Sequence, residues 1–210
     1  MKNPFRILSA MLSLCAACAL GQTQQDALFR AIDDGELPEF SRLVDAGIHV
    51  LAKNKLDETP LYVAAEKGNL EMVRLLLARG ADAKARTPNG ETVLHAASMI
   101  DSAALTTALI EAGAEINAAN RDGETPLYWA AMTGTFMAVK ALADAGADLN
   151  VQEERLGNTA LHAAVAHDDI ALIHYLLSKN VRIDIRNNEG LTALDIAEAR
   201  GRGSVTLFER

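Results

Sequence analysis

Apolar residues in the middle of the chain recur at the spacing of a short amphipathic helix. One such stretch ends at Gly80, and its apolar positions are Leu70, Val73, Leu76 and Leu77. Residues three and four apart share one face of a helix, so this stretch predicts a helix with one buried side. Gly80 suits the left-handed conformation in which many helices end. The polar residues that follow favour a hairpin loop.

Another short helix is predicted immediately before this one. The hydroxyl of Thr59 can accept a hydrogen bond from the first turn, and Pro60 fits the first helical position, where no donor is missed. The small pair Ala64 and Ala65 lets a neighbouring helix approach closely. One unit therefore consists of an inner helix, a second helix and a loop.

This unit repeats with a period of 33 residues. The capping threonine returns at intervals of 33, 33, 34 and 33 residues, at Thr59, Thr92, Thr125, Thr159 and Thr192. A glycine series runs in phase with it, at Gly47, Gly80, Gly113 and Gly146, with Asn180 at the next position. Asn tolerates the left-handed conformation, so it can replace Gly there. Two phased series indicate tandem structural repeats.

The repeated residues resemble the ankyrin repeat in its TPLH-type cap, its Ala-Ala pair, its Gly68-Asn69 turn and its ending, Gly146-Ala147-Asp148-Leu149-Asn150. The resemblance implies an all-α repeat solenoid of stacked helix–turn–helix units joined by hairpin loops. We expect an ankyrin repeat domain over residues 22–210. Within it we expect a degenerate first repeat at 22–54, full repeats at 55–87, 88–120, 121–154 and 155–188, and a truncated last repeat at 189–210.

Two departures from the repeat stand out. Asp101 and Asp168 occupy the positions of Gly68 and Gly134, which predicts that the turns between helices are built differently in the second and fourth full repeats. One extra residue near Glu153-Glu154-Arg155 lengthens a single hairpin tip. That tip is a candidate functional deviation.

The first 21 residues predict a signal peptide. Lys2 and Arg6 form a basic start, and the apolar run over residues 7–17 is too short to span a bilayer. Small residues allow cleavage just before Leu20 or Gln22. Alternatively, Cys18 after Cys15-Ala16-Ala17 resembles a bacterial lipobox, in which Cys15 departs from the usual Leu. The expected location is the periplasm, or the outer membrane if Cys18 is lipidated; a buried N-terminal helix is disfavoured because the run lacks a polar face.

Charge and composition exclude several classes of protein. The 210 residues carry a net charge of −8, and loss of Lys2 and Arg6 leaves 18 basic residues against 28 acidic ones, a net charge of −10. Binding to nucleic acid needs an excess of Lys and Arg, so protein partners are expected instead. Residues after Cys18 include no cysteine, which excludes a thiol nucleophile and a cysteine metal site there.

The histidines and serines predict no catalytic, cofactor or metal site. His95 and His162 occupy the fourth position of the TPLH-type motif, where the family's imidazole bonds to backbone and ties neighbouring loops; Tyr62 and Tyr128 hold the same position. His167 and His174 fall on different helices, so their spacing does not suit a metal site. No nucleophile elbow, phosphate loop or zinc-protease motif is present. We therefore expect a protein that is not an enzyme.

The resemblance implies that hairpin tips and the exposed sides of the inner helices line a concave face that binds proteins. We predict an apolar centre on this face, rimmed by charge. The apolar centre comprises Met99, Ile100, Trp129 and Met132, and the charged rim comprises Glu58, Glu91, Glu124 and Arg121. Two interpretations of Trp129 remain open: an interface anchor, or a residue that packs against the adjacent repeat.

Together these features predict a monomeric, exported bacterial ankyrin protein that binds one protein partner in the periplasm. The resemblance to other exported bacterial ankyrin proteins implies an inhibitor, or an immunity or protective partner, of an envelope enzyme. The alternative is an adaptor anchored to the outer membrane through lipidated Cys18.

Overall fold

The computed structural model describes residues 23–179, 181–201 and 203–208. Short helices and turns make up these residues, with one isolated bridge pair between Arg86 and Thr92. The helices are α1 (23–33), α2 (Leu37–Asp45), α3 (Pro60–Glu66), α4 (Leu70–Ala78), α5 (Val93–Ser98), α6 (Ala103–Glu111), α7 (Pro126–Thr133), α8 (Phe136–Asp144), α9 (Ala160–Ala166), α10 (Ile170–Ser178), α11 (Ala193–Ala199) and a closing 3-10 helix (Gly203–Phe208). The predicted all-α repeat solenoid is confirmed. The predicted signal peptide, Cys18 and Asn180 lie outside the described residues.

The helices stack in two rows. The inner helices α3, α5, α7, α9 and α11 pack side by side, and α4, α6 and α8 form an outer row behind them. Each inner helix also packs on the outer helix that follows it. The alanine pairs of the inner helices are fully or nearly fully buried, as Ala64 and Ala65 illustrate, because neighbouring backbones approach closely there. One continuous apolar core therefore runs along the stack.

Helix ends follow the sequence pattern. The Thr59 side chain accepts a hydrogen bond from the amide of Tyr62, and Pro60 occupies the first turn of α3. Gly80 and Gly146, after the outer helices, have φ of 82° and 91°. These values lie in the left-handed region, which confirms both predicted helix stops.

The turns between inner and outer helices correct one expectation. Asp168 has φ of 55°, close to the 71° of Gly68 and Gly134, so the turn of the fourth full repeat is of the same left-handed kind. The prediction of a different turn there was wrong because Asp tolerates this conformation. In the second full repeat the turn does differ: Asp101 is outside the left-handed set, and its carboxylate accepts a hydrogen bond from the amide of Met137 at 2.6 Å.

Successive hairpin tips are joined by backbone hydrogen bonds. The amide of Arg121 donates to the carbonyl of Asn89, Glu154 to Asp122, and Asn188 to Leu156, at 2.8–2.9 Å. The equivalent residue of the preceding hairpin is Pro88, which has no N–H to donate. The first joint between tips therefore lacks the bond that closes the others.

Candidate protein-binding face

Each of two buried histidines ties one hairpin to the following hairpin. The backbone amide of Thr92 donates to Nδ1 of His95 at 2.9 Å, so the proton lies on Nε2, which faces the carbonyl of Glu124 at 3.0 Å. His162 repeats the arrangement between Thr159 and Leu191. Burial lowers the pKa of both imidazoles, against the opposing effect of these carbonyl bonds. The predicted structural role of both histidines is confirmed.

Tyrosines occupy the equivalent position in the alternate repeats. The hydroxyl of Tyr62 donates to the carboxylate of Glu91 at 3.2 Å. Burial, with the nearby carboxylates, raises the pKa of Tyr62, and raises that of Tyr128 to about 12. Both phenols therefore stay protonated at neutral pH, and the Tyr62 hydroxyl acts as a donor across its joint.

Trp129 is held from two sides. Its indole N–H donates to Oε2 of Glu124 at 2.7 Å. Its ring and the His95 ring form a T-shaped pair, with ring centres 5.2 Å apart and planes at 80°. Trp129 also packs against the core while remaining partly exposed. It thus packs against the adjacent repeat, as one interpretation predicted, while part of its side chain stays exposed.

The three glutamates of the charged rim lie at equivalent points of consecutive hairpins, and each carboxylate is engaged. Glu58 accepts from the side-chain amide of Asn54. Glu91 accepts from Tyr62 and Thr87, and Glu124 accepts from Asn120 and Trp129. The glutamates are half-buried, whereas Arg121 is exposed. This part of the rim is an ordered hydrogen-bonded row.

The apolar centre is assembled from two neighbouring inner helices. Met99 and Ile100 follow α5, and Trp129 and Met132 belong to α7, which packs directly against α5. Met99 and Met132 are exposed, while Ile100 is half-buried. The structure therefore places the four predicted residues on α7 and directly after the adjoining α5, with Met99 and Met132 exposed.

A groove next to the apolar centre was missed by sequence reasoning. It has a volume of about 460 Å³ and is bordered by Met132, Leu156, Ile196, His167 and Arg200. The signal available in the sequence was Leu156, an apolar residue at a hairpin tip. The groove extends the candidate face towards the last two inner helices.

The lengthened hairpin has a structural explanation. Glu153 is buried, and its carboxylate accepts backbone hydrogen bonds from Arg155, Leu156 and Asn158. In the preceding hairpin the shorter Asn120 receives the amides of Asp122 and Glu124 in the same way. Glu reaches across one more residue than Asn, so it accommodates the insertion that carries Leu156 to the edge of the groove.

In residues 23–179, 181–201 and 203–208, no group of three or more His, Cys, Asp or Glu side chains is arranged to hold a metal ion. Within that same part of the chain, no helix has both the length and the apolar character needed to cross a membrane.

Family models agree with the fold. A model described as ankyrin repeats in three copies matches residues 79–153 and 138–208, and one described as ankyrin repeats in many copies matches 43–97. No curated protein matches the chain significantly. Ankyrin repeats are protein–protein interaction modules and are typically non-catalytic. The chain therefore belongs to the ankyrin repeat family.

Proposed function

We propose that this protein is exported to a bacterial periplasm and binds one protein partner there through its concave face. The observation that carries the proposal is the apolar centre: Met99 and Met132 are exposed beside a Trp129 that is already fixed in place. An apolar middle with a polar surround is the usual anatomy of a protein interface.

The bracing of Trp129 supports a role in binding. Its ring is oriented by Glu124 and His95 before any partner arrives, so little side-chain entropy is lost on association. Tryptophan is also among the residues most enriched at interface hot spots. The exposed part of this ring and the neighbouring thioethers form a rigid, largely apolar contact surface.

The proposed location rests on the sequence at the start of the chain, with its basic residues, short apolar run and small residues near position 20. In the periplasm, the protein would inhibit or protect an envelope enzyme. A form lipidated at Cys18 would instead tether an envelope assembly to the outer membrane. The mass of the mature N-terminus distinguishes the two, and loss of palmitate labelling on Cys18→Ser would support the anchored form.

Affinity capture from periplasmic extract tests the binding surface. We expect the wild-type chain to retain a protein that Met99→Lys/Met132→Lys loses, because two charges would enter the apolar contact. Met137→Lys is the matched control: Met137 is 42% exposed, similar to Met132, but it lies on outer helix α8. Equal recovery by all three chains would overturn the proposed face, provided that circular dichroism shows each to be folded.

A further inference from the structure

Methionine supplies all the sulfur after residue 18. Both cysteines, Cys15 and Cys18, precede the described residues, and none follows. The described methionines are Met72, Met99, Met132 and Met137. Oxidants that act on sulfur can therefore modify the folded repeats only at methionine thioethers.

The four thioethers differ sharply in accessibility. Met72 is 0% exposed in the core, whereas Met99 and Met132 are 38% and 43% exposed. Susceptibility of methionine to oxidation follows its exposure. The exposed methionines Met99, Met132 and Met137 therefore form a chemically distinct group on the surface of a well-packed solenoid.

Two of the exposed methionines form a pair within the apolar centre. Met99 and Met132 each stand seven residues after a capping threonine, so they occupy equivalent positions in consecutive repeats. Their helices, α5 and α7, pack side by side. The equivalent positions on either side hold Glu66 and Ala166, so the pair belongs to this part of the face and not to the repeat as such.

We propose that Met99 and Met132 are an oxidation-sensitive modification site that lowers binding through the concave face. A hydroperoxide is the oxidant: its O–O bond breaks as one oxygen forms an S–O bond with the thioether. The sulfur loses two electrons, and with hydrogen peroxide the other oxygen leaves as water after proton transfer. Each methionine becomes a methionine sulfoxide, which methionine sulfoxide reductases can reverse.

This inference rests on the proposed function, because the sulfoxide acts by changing the surface that meets the partner. A thioether is apolar and adapts its shape to a contact, whereas a sulfoxide is polar. Burying the new polar group without a hydrogen-bond partner weakens the contact, by about tenfold in affinity for each sulfoxide. The fold itself should be spared because neither sulfur lies in the core.

The first test measures the chemistry without any partner. The purified mature chain is treated with hydrogen peroxide, and sulfoxide formation is followed by peptide mass spectrometry. Met99, Met132 and Met137 should oxidise at least tenfold faster than Met72, while circular dichroism stays unchanged. Oxidation of Met99 and Met132 at the rate of Met72 would overturn the inference.

The second test measures binding, using the protein retained from periplasmic extract by the untreated wild-type chain as the probe. Peroxide should reduce its recovery by wild type and by Met137→Leu, and sulfoxide reductases should restore it. For Met99→Leu/Met132→Leu, peroxide should leave recovery unchanged relative to the same variant before treatment. If that double variant loses binding as fully as wild type, the inference is overturned although the proposed function stands. If untreated wild type and Met99→Lys/Met132→Lys recover the same proteins, the proposed function fails and the inference with it.

Discussion

Trp129 donates its indole N–H to the carboxylate of Glu124, five residues before it, across 2.7 Å. The same carboxylate accepts from the side chain of Asn120, and the backbone carbonyl of Glu124 faces His95. The charged rim and the apolar centre are therefore one connected structure. A change at Glu124 alters the position of the ring as well as the charge.

Removing that carboxylate should destabilise the protein and loosen the ring. We expect Glu124→Ala to lower the free energy of unfolding by about 1–3 kcal/mol, because two donors lose their partner. Glu124→Gln keeps an acceptor oxygen and should lose much less. Urea unfolding followed by the fluorescence of Trp129, the sole tryptophan, measures both effects. Glu58→Ala is the control, since Glu58 receives only one of these side-chain bonds; equal effects at the two sites would contradict the bracing of Trp129.

Two left-handed glycines should respond differently to the same substitution. Gly146→Ala introduces a Cβ with nothing within 4 Å, so only backbone strain of roughly 1–2 kcal/mol is expected. At Gly123 the new Cβ would lie 2.6 Å from Cγ and 2.9 Å from the amide nitrogen of Glu154. Gly123→Ala should therefore lower the thermal midpoint further than Gly146→Ala. The reverse order would mean that the hairpin tips are not packed as described.

The two buried histidines should make stability depend on pH. Their folded pKa values lie below the ordinary value of 6.5, so just below that pH the unfolded chain binds more protons. Their contribution is fully present above 6.5 and is lost as pH falls from 6.5 to the lowered pKa. Urea midpoints measured between about pH 5 and pH 7 should rise with pH across this window.

The chain supplies its own control for this pH effect. Tyr62 and Tyr128 occupy the equivalent position without titrating near neutral pH. His95→Tyr/His162→Tyr should therefore flatten the slope of the urea midpoint between about pH 5 and pH 6.5. An unchanged slope would assign the dependence to other groups.

The acidic rim should act mainly on the rate of association. Replacing Glu58, Glu91 and Glu124 together by Gln keeps hydrogen-bond acceptors and removes three negative charges. We expect the association rate and its salt dependence to change, with a smaller effect on dissociation, because rim charges chiefly steer encounter. Stopped-flow measurements over a range of salt concentrations distinguish this from loss of a docking contact, which would raise the dissociation rate.

The sequence was most informative at the positions that recur from one repeat to the next. Phased threonines and glycines located the helix starts and stops, and the TPLH-type position identified His95 and His162 as structural, because each feature satisfies a local backbone requirement. The prediction of a different turn at Asp168 was wrong, because a non-glycine residue can adopt the left-handed conformation when its surroundings hold it there. The Trp129–Glu124 bond and the groove beside Leu156 depend on how repeats stack, which spacing along the chain does not specify.

Pro88 gives the row of hairpins an uneven mechanical response. The second, third and fourth joints between hairpin tips each carry an amide hydrogen bond, whereas the first cannot form one through residue 88. A shear load along the row would be shared between backbone hydrogen bonds and helix packing at those three joints, whereas at the first it would fall on helix packing and the side-chain bond from Tyr62 to Glu91. The solenoid should therefore open under force first at the joint before Pro88, with the apolar centre on the side of that joint where the hairpin tips keep their backbone bonds.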